Sequence, residues 1–235
     1  MPTAHTAQPK PWKGTGMEGW MARWYASTRR NDMEDFRREA KSAAGRLPAG
    51  ACVLDVAPGP GFFAIELAKL GDFRIAGLDI SRTLVKIAAE NARKAGVNVD
   101  FRLGNASAMP FADESFDFVY CSAAFKNFSE PVKALNEMYR VLRPTGEALI
   151  VDLCKECPDA AVDAFVKRSG RGPIDAWMTK WTFRHVLLKR AYTREDFVRM
   201  SEQSHFGACR IDGDGLGVAV RFARQNVRVA AAESL

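Results

Sequence analysis

The stretch VLDVAPGPGFFAIELAKLG, Val53 to Gly71, decides the fold. A short apolar run ends on Asp55 and Val56. Ala57 follows, then two Pro-Gly pairs over Pro58–Gly61, then apolar residues at helical spacing from Phe62. That order predicts a buried strand, a tight turn and a helix. Glycines in such a turn let the backbone adopt positive φ and let a ligand come close.

Working outward, the same alternation repeats. Ala51–Val56, Arg74–Leu78, Val97–Leu103, Phe116–Cys121 and Glu147–Leu153 read as five strands. Helices are predicted between them, over Phe62–Leu70, from a Ser81 cap to a Gly96 stop, and over Ser129–Leu142 with Pro131 in the first turn. Arg143–Gly146 then reads as a turn, and an earlier helix is predicted over Asn31–Gly45. Thr193 with Asp196 resembles a capping box for a last helix, and two closing strands follow, Cys209–Asp212 and Val218–Arg224. The expected fold is α/β: a doubly wound, mostly parallel seven-stranded sheet, Rossmann-like, with a helical lid.

The 235 residues, 47% hydrophobic, suit one domain. The expected layout is a disordered tail over 1–16 and a single domain over 17–235. Within it, 17–50 would form N-terminal lid helices, 51–153 the ligand-binding core, 154–192 a lid and substrate segment, and 193–235 the last helix and closing strands. No run of about 18 uncharged apolar residues is present, so no membrane-spanning helix is expected. Five irregularly spaced cysteines and no secretory pattern point to a reducing, cytoplasmic setting. Cys154-Lys155-Glu156-Cys157 is one C-x-x-C without a second pair, so no metal is expected. Net charge is +6, but the basic residues form no continuous stripe, which argues against a nucleic-acid partner.

In a parallel sheet, ligands bind beyond the carboxyl ends of the strands. Gly59-Pro60-Gly61-Phe62-Phe63-Ala64 fits the dinucleotide pattern G-x-G-x-x-A, with Asp79 roughly 20 residues on. A pyrophosphate, however, needs backbone N–H donors at the helix start, and Pro58 and Pro60 each delete one. Asp55 would also sit beside that anion. A ligand with a cationic group suits the turn better, which leaves a nicotinamide-dependent oxidoreductase as the lesser alternative.

Four segments in order, VLDVAPGPG, GLDIS, GNASAMPFADESFDFVYCSAAF and EMYRVLRPTGEALIVD, resemble the class I S-adenosylmethionine-dependent methyltransferases, in the branch with quinone-biosynthesis and small-molecule enzymes. The resemblance implies S-adenosyl-L-methionine as cofactor, S-adenosyl-L-homocysteine as product and a small-molecule acceptor, aromatic or anionic. A lipid or quinone acceptor at a membrane surface is the alternative, and a non-catalytic cofactor-binding module is the alternative of another class. It implies that Asp55, Ala57, Pro58, Gly59 and Gly61 hold the methionine end. Asp79 would take the ribose and Ile80 pack on adenine. Asn105 and Ala106 would meet the adenine edge, and Cys121 would lie beside the sulfonium through its backbone. Where the family has glycine this chain has Ala57, whose methyl fits if φ stays negative. Asn105 replaces a common aspartate, and Thr145 a glycine.

The methyl donor needs cover from water. Met17–Arg30 is expected to fold over it, with Trp20, Trp24 and Tyr25 closing the pocket. Phe125, Lys126, Phe128, Trp181 and His185 complete the expected substrate pocket. Lys126, His185 and Asp152 are the candidates for a general base, should the acceptor need one.

Overall fold

A computed structural model describes residues 12–13, 17–168, 172–182, 185, 187–213 and 215–224. Seven strands form one sheet: β1 Cys52–Val56, β2 Arg74–Asp79, β3 Asp100–Leu103, β4 Phe116–Ser122, β5 Leu142–Leu153, β6 Arg210–Asp212 and β7 Gly217–Ala223. Their order is β3-β2-β1-β4-β5-β7-β6. The first five run parallel, and β7 is antiparallel to both β5 and β6. The expected doubly wound sheet is present.

The helices are α1 Gly19–Thr28, α2 Met33–Ala44, α3 Phe62–Ala68, α4 Arg82–Ala95, α5 Pro131–Val141, α6 Asp159–Arg168, α7 Pro173–Thr182, the short α8 Leu188–Arg190 and α9 Arg194–Glu202. Their ends follow local chemistry. Ser81 Oγ accepts from Leu84 N at 3.1 Å to start α4, and Gly96, at φ +68, ends it. Pro131 opens α5, where its missing N–H costs nothing. Thr193 and Asp196 form a reciprocal capping box on α9.

Every residue of β1 is buried, as a central parallel strand covered on both faces requires. One apolar layer joins Leu54, Val119, Met138, Leu142, Phe197 and Phe222. The other joins Phe36, Val53, Phe63, Leu67 and Phe118. The two sheet edges are short and charged. On β3, Arg102 Nη2 lies 2.6 Å from Asp100 Oδ2, and on β6, Arg210 Nε lies 3.4 Å from Asp212 Oδ2.

Three local expectations change. Arg143–Gly146 is not a free turn but a bulge inside β5, because the partner of β4 jumps from Phe116↔Leu142 to Phe118↔Glu147. Hydrogen bonds to Arg224 hold the extra residues: Thr145 N donates to Arg224 O at 3.1 Å, and Arg224 N to Gly146 O at 2.9 Å. Thr145 takes φ +72, the conformation a glycine would favour. The first part of the segment 154–192, for which no helix is predicted, contains α6. Trp12 and Lys13, assigned to a disordered tail, dock on the core. Trp12 bridges antiparallel to Phe128, and Lys13 N donates to Asn127 O at 2.9 Å. The rest of the expected tail lies outside the described residues. No helix among the described residues is long and apolar enough to cross a membrane.

Candidate active site

The carboxyl ends of β1, β2, β4 and β5 bring Asp55, Asp79, Cys121 and Asp152 to one end of the sheet. Between β1 and α3 the chain makes three left-handed steps, Ala57 at φ +57, Gly59 at +56 and Gly61 at +79. Ala57 therefore departs from the negative φ expected of it. The turn needs that conformation there, fixed by Ala57 N donating to Leu78 O at 2.8 Å, and an alanine adopts it at a cost of about 1–2 kcal/mol.

The turn has no spare donor. Pro58 and Pro60 carry no N–H. Gly59 N donates to Asp79 Oδ2 at 3.1 Å, and Gly61 N to Pro58 O at 3.0 Å. The two glycines also differ. A side chain on Gly61 would come within 2.6 Å of Phe101 Cζ and 3.0 Å of Ala88 Cβ, so this glycine serves helix–sheet packing. At Gly59 it would only touch Tyr25 Cε1 at 3.4 Å. Tyr25 of α1 thus lies over the turn.

The acids are buried. Asp79 also accepts from Ser81 N at 2.9 Å through Oδ1. Desolvation, partly offset by these backbone hydrogen bonds, pushes its pKa up to about 6. Asp55 is more enclosed, and its Oδ2 has no hydrogen-bond partner. Burial, then the charges of Asp79 and Glu39, raise its pKa well above the carboxylate range. Glu39 accepts from the Tyr120 hydroxyl and is itself raised by burial. Burial also raises the Tyr25 phenol, with Asp79 and Asp152 adding to the shift. A chain of net charge +6 therefore gathers acids where the strands end.

The base candidates fall differently from expectation. Lys126 and Asp152 are one buried ion pair, Nζ to Oδ1 at 2.7 Å, and Lys126 N donates to Asp152 Oδ2 at 2.9 Å. Lys126 Nζ also donates to Ala123 O at 2.6 Å. Each is committed to the other and pins the loop after β4. Cys121 is fully buried, and desolvation, then the Asp152 and Asp55 charges, lift its thiol well above the usual range. It stays a neutral thiol.

The aromatic candidates also separate. Phe125 and Phe128 are buried, and Phe125 packs on Phe197 and Tyr192 at 5.8 and 5.9 Å between ring centroids. Phe125 is core rather than a substrate-facing side chain. Trp20, Trp24 and Trp181 are 74%, 63% and 50% exposed. On α1 the buried Ala22 and Ala26 face α4, and helical periodicity turns Trp20 and Trp24 to the opposite side. They do not close the pocket. His185 is exposed and stacks on Trp181 at 5.0 Å.

Ile80, Asn105 and Ala106 line one small cavity with Ala57, Gly104 and Phe128, and Trp12 forms a further wall. Asn105 Oδ1 accepts from Ser107 N at 2.9 Å, so part of its capacity holds its own turn. Sequence reasoning missed Trp12 and Glu18. Glu18 Oε1 accepts from Arg82 N at 2.8 Å, and its Oε2 from Thr83 N and Oγ1, which fastens α1 to the start of α4. Its acid preceding α1 was visible, but its partners were not. Among the described residues no three His, Cys, Asp or Glu side chains form a metal-holding group.

Comparison with known proteins finds likenesses for this arrangement. A family model described as a methyltransferase domain matches residues 54–150. That segment is similar to methyltransferase domains. The chain is 33% identical over 124 residues to a ubiquinone/menaquinone biosynthesis C-methyltransferase of Marinomonas, covering 51% of this chain and 49% of the relative. It is 38% identical over 117 residues to a demethylmenaquinone methyltransferase of Renibacterium salmoninarum, covering 50% and 47%. The chain thus spans about half the length of the curated relatives it matches. The fold extends further. A solved structure from Methanococcus maripaludis, provisionally named an S-adenosyl-L-methionine-dependent methyltransferase, superposes with a TM-score of 0.72 at 19% identity over 92% of this chain and 98% of its own.

Proposed function

We propose that the protein transfers a methyl group from S-adenosylmethionine to a small-molecule acceptor in the cytoplasm. One observation carries the reading: a strand-end turn with no free N–H, facing buried acids of which Asp55 Oδ2 is unpaired. A buried carboxyl oxygen without a partner would be satisfied by a cationic group, which would also favour its charged form. A pyrophosphate would find no donor in this turn and would face the acids. The residues present fit the cofactor. Asp55 would take its ammonium, and Asp79, with lone pairs beyond its two backbone bonds, would accept from the ribose hydroxyls. Ile80 and Ala106 would flank adenine, with Asn105 at its edge. Gly59, without a side chain, lets Tyr25 pack closely over the turn, and the Cys121 backbone would lie near sulfur.

When bound, the cofactor supplies an electrophilic methyl carbon on a sulfonium. This chain's residues align and enclose the reacting atoms, where orientation and exclusion of water lower the barrier. Lys126 and Asp152 set the loop after β4 and are spent on each other, so an acceptor that is already nucleophilic suits the site. The branch favours a second reading of the acceptor, a quinone or other lipid at a membrane surface. The exposed Trp20, Trp24, Trp177 and Trp181 are compatible with it.

Calorimetry with S-adenosylmethionine and with NAD⁺ tests the cofactor. Binding of the first alone is expected, and binding of NAD⁺ alone would overturn the reading. Formation of S-adenosylhomocysteine is then followed with soluble phenols and amines, and with demethylated quinols in anionic vesicles. Turnover only in vesicles would select the second acceptor class. Tight cofactor binding with no turnover in a metabolite extract would select a non-catalytic module.

A further inference from the structure

We propose that Trp12 is an internal plug of the cofactor site, occupying space that the adenosyl group must take. The inference rests on the cofactor reading above. The walls assigned to adenine are Ile80, Asn105 and Ala106, and Trp12 lines the same cavity together with Ala57. About 20 Å³ remains open there. Sites for ligands of this size run to about 300 Å³ or more. Three of the other walls are held in place. Leu78 is buried on β2, Phe128 is buried under the loop after β4, and Ala57 is fixed by its bond to Leu78 O. Trp12 is only partly buried, and it belongs to no strand or helix.

Among the described residues the plug's attachment is specific: Trp12 packs on the edge of the main apolar layer. Trp12 forms a single bridge to Phe128, and Lys13 N donates to Asn127 O at 2.9 Å. Lys13 Nζ donates to the Tyr192 hydroxyl at 2.7 Å and lies 4.8 Å from that ring's centre. A few exposed hydrogen bonds hold a segment at the low end of local stability. The free protein is then an equilibrium between plugged and open forms, and the cofactor binds only the open one. Its apparent dissociation constant is the intrinsic one divided by the open fraction.

Removing the plug should tighten binding. If about four-fifths of the free protein is plugged, Trp12→Ala lowers the apparent Kd for S-adenosylmethionine about fivefold. Lys13→Ala, which loses only the Tyr192 link, should move it the same way by less. Stopped-flow adds a second readout. The wild-type association rate should level off at the rate of plug opening as cofactor rises, whereas that of Trp12→Ala should keep rising linearly. Unchanged or weaker binding by Trp12→Ala would overturn the plug and leave the cofactor reading intact; weaker binding would make Trp12 a lid that stacks on adenine. Failure of the wild type and both variants to bind S-adenosylmethionine at all would overturn the cofactor reading and the plug with it.

Discussion

Asp79 makes cofactor affinity depend on pH in a direction that distinguishes it from acid unfolding. Burial holds its pKa at about 6, so it titrates just below neutrality. Roughly nine-tenths of the group is ionised at pH 7 and roughly one-tenth at pH 5. If only the carboxylate accepts from the ribose and attracts the cationic ligand, affinity for S-adenosylmethionine falls about tenfold over that range, or about 1.4 kcal/mol. Stability of the free protein moves the other way. The folded state holds more protons than the unfolded chain between the ordinary value of 3.8 and about 6. This group therefore makes the free fold more stable at the acid end, and up to about 3 kcal/mol is lost as pH rises through the window. Calorimetric titrations at pH 5, 6 and 7, with urea melts at each pH, read both trends. The ammonium of the ligand stays charged throughout. Asp79→Asn should bind weakly, by about 2–3 kcal/mol at pH 7, and lose most of the slope. Affinity that stays level from pH 5 to pH 7 in a folded wild-type protein would refute the role given to Asp79.

Three further outcomes follow from the geometry. Ala57→Gly should stabilise the protein by about 1 kcal/mol, read as a higher urea midpoint, because glycine relieves the left-handed strain. Lys126→Met should cost about 3–5 kcal/mol by stranding Asp152 in the core, and Lys126→Met with Asp152→Leu should recover much of that loss; an unaltered melt of the single variant would mean that water reaches the pair. Glu18→Ala should release α1 from the start of α4, so trypsin should cut at Arg23, Arg29 and Arg30 faster than in the wild type, and equal rates would assign the anchoring to Ala22 and Ala26 instead.

The central sheet was legible because its signals are local. Val53–Val56 is apolar and ends in turn residues, Ser81 and Gly96 bracket one helix, and Thr193 with Asp196 caps another. Asp79 could be placed at a strand end for the same reason. What stayed hidden depends on distant partners. The ion pair of Lys126 with Asp152 exists because β4 and β5 register Cys121 with Ile150 and Ser122 with Val151, which neither segment encodes alone. Aromatic content marked α1, but not the side to which Trp20 and Trp24 point; Ala22 and Ala26 decided that by packing on α4. Ala57 looked like a departure needing an ordinary backbone. The turn imposes its own dihedral angle, and the methyl group tolerates it. Trp12 lies too far from the cavity in sequence for any spacing rule to join them.

The short, charged borders of the sheet bear on how these molecules can associate. β3 offers four residues with an Asp100–Arg102 pair along its rim, and β6 offers three with Arg210 beside Asp212. A strand from another chain arriving at either rim would have to desolvate those charges and would find few main-chain groups to join. Both rims therefore disfavour backbone pairing with another chain. Contacts between side chains on the helical faces carry no such cost and can be tuned one residue at a time.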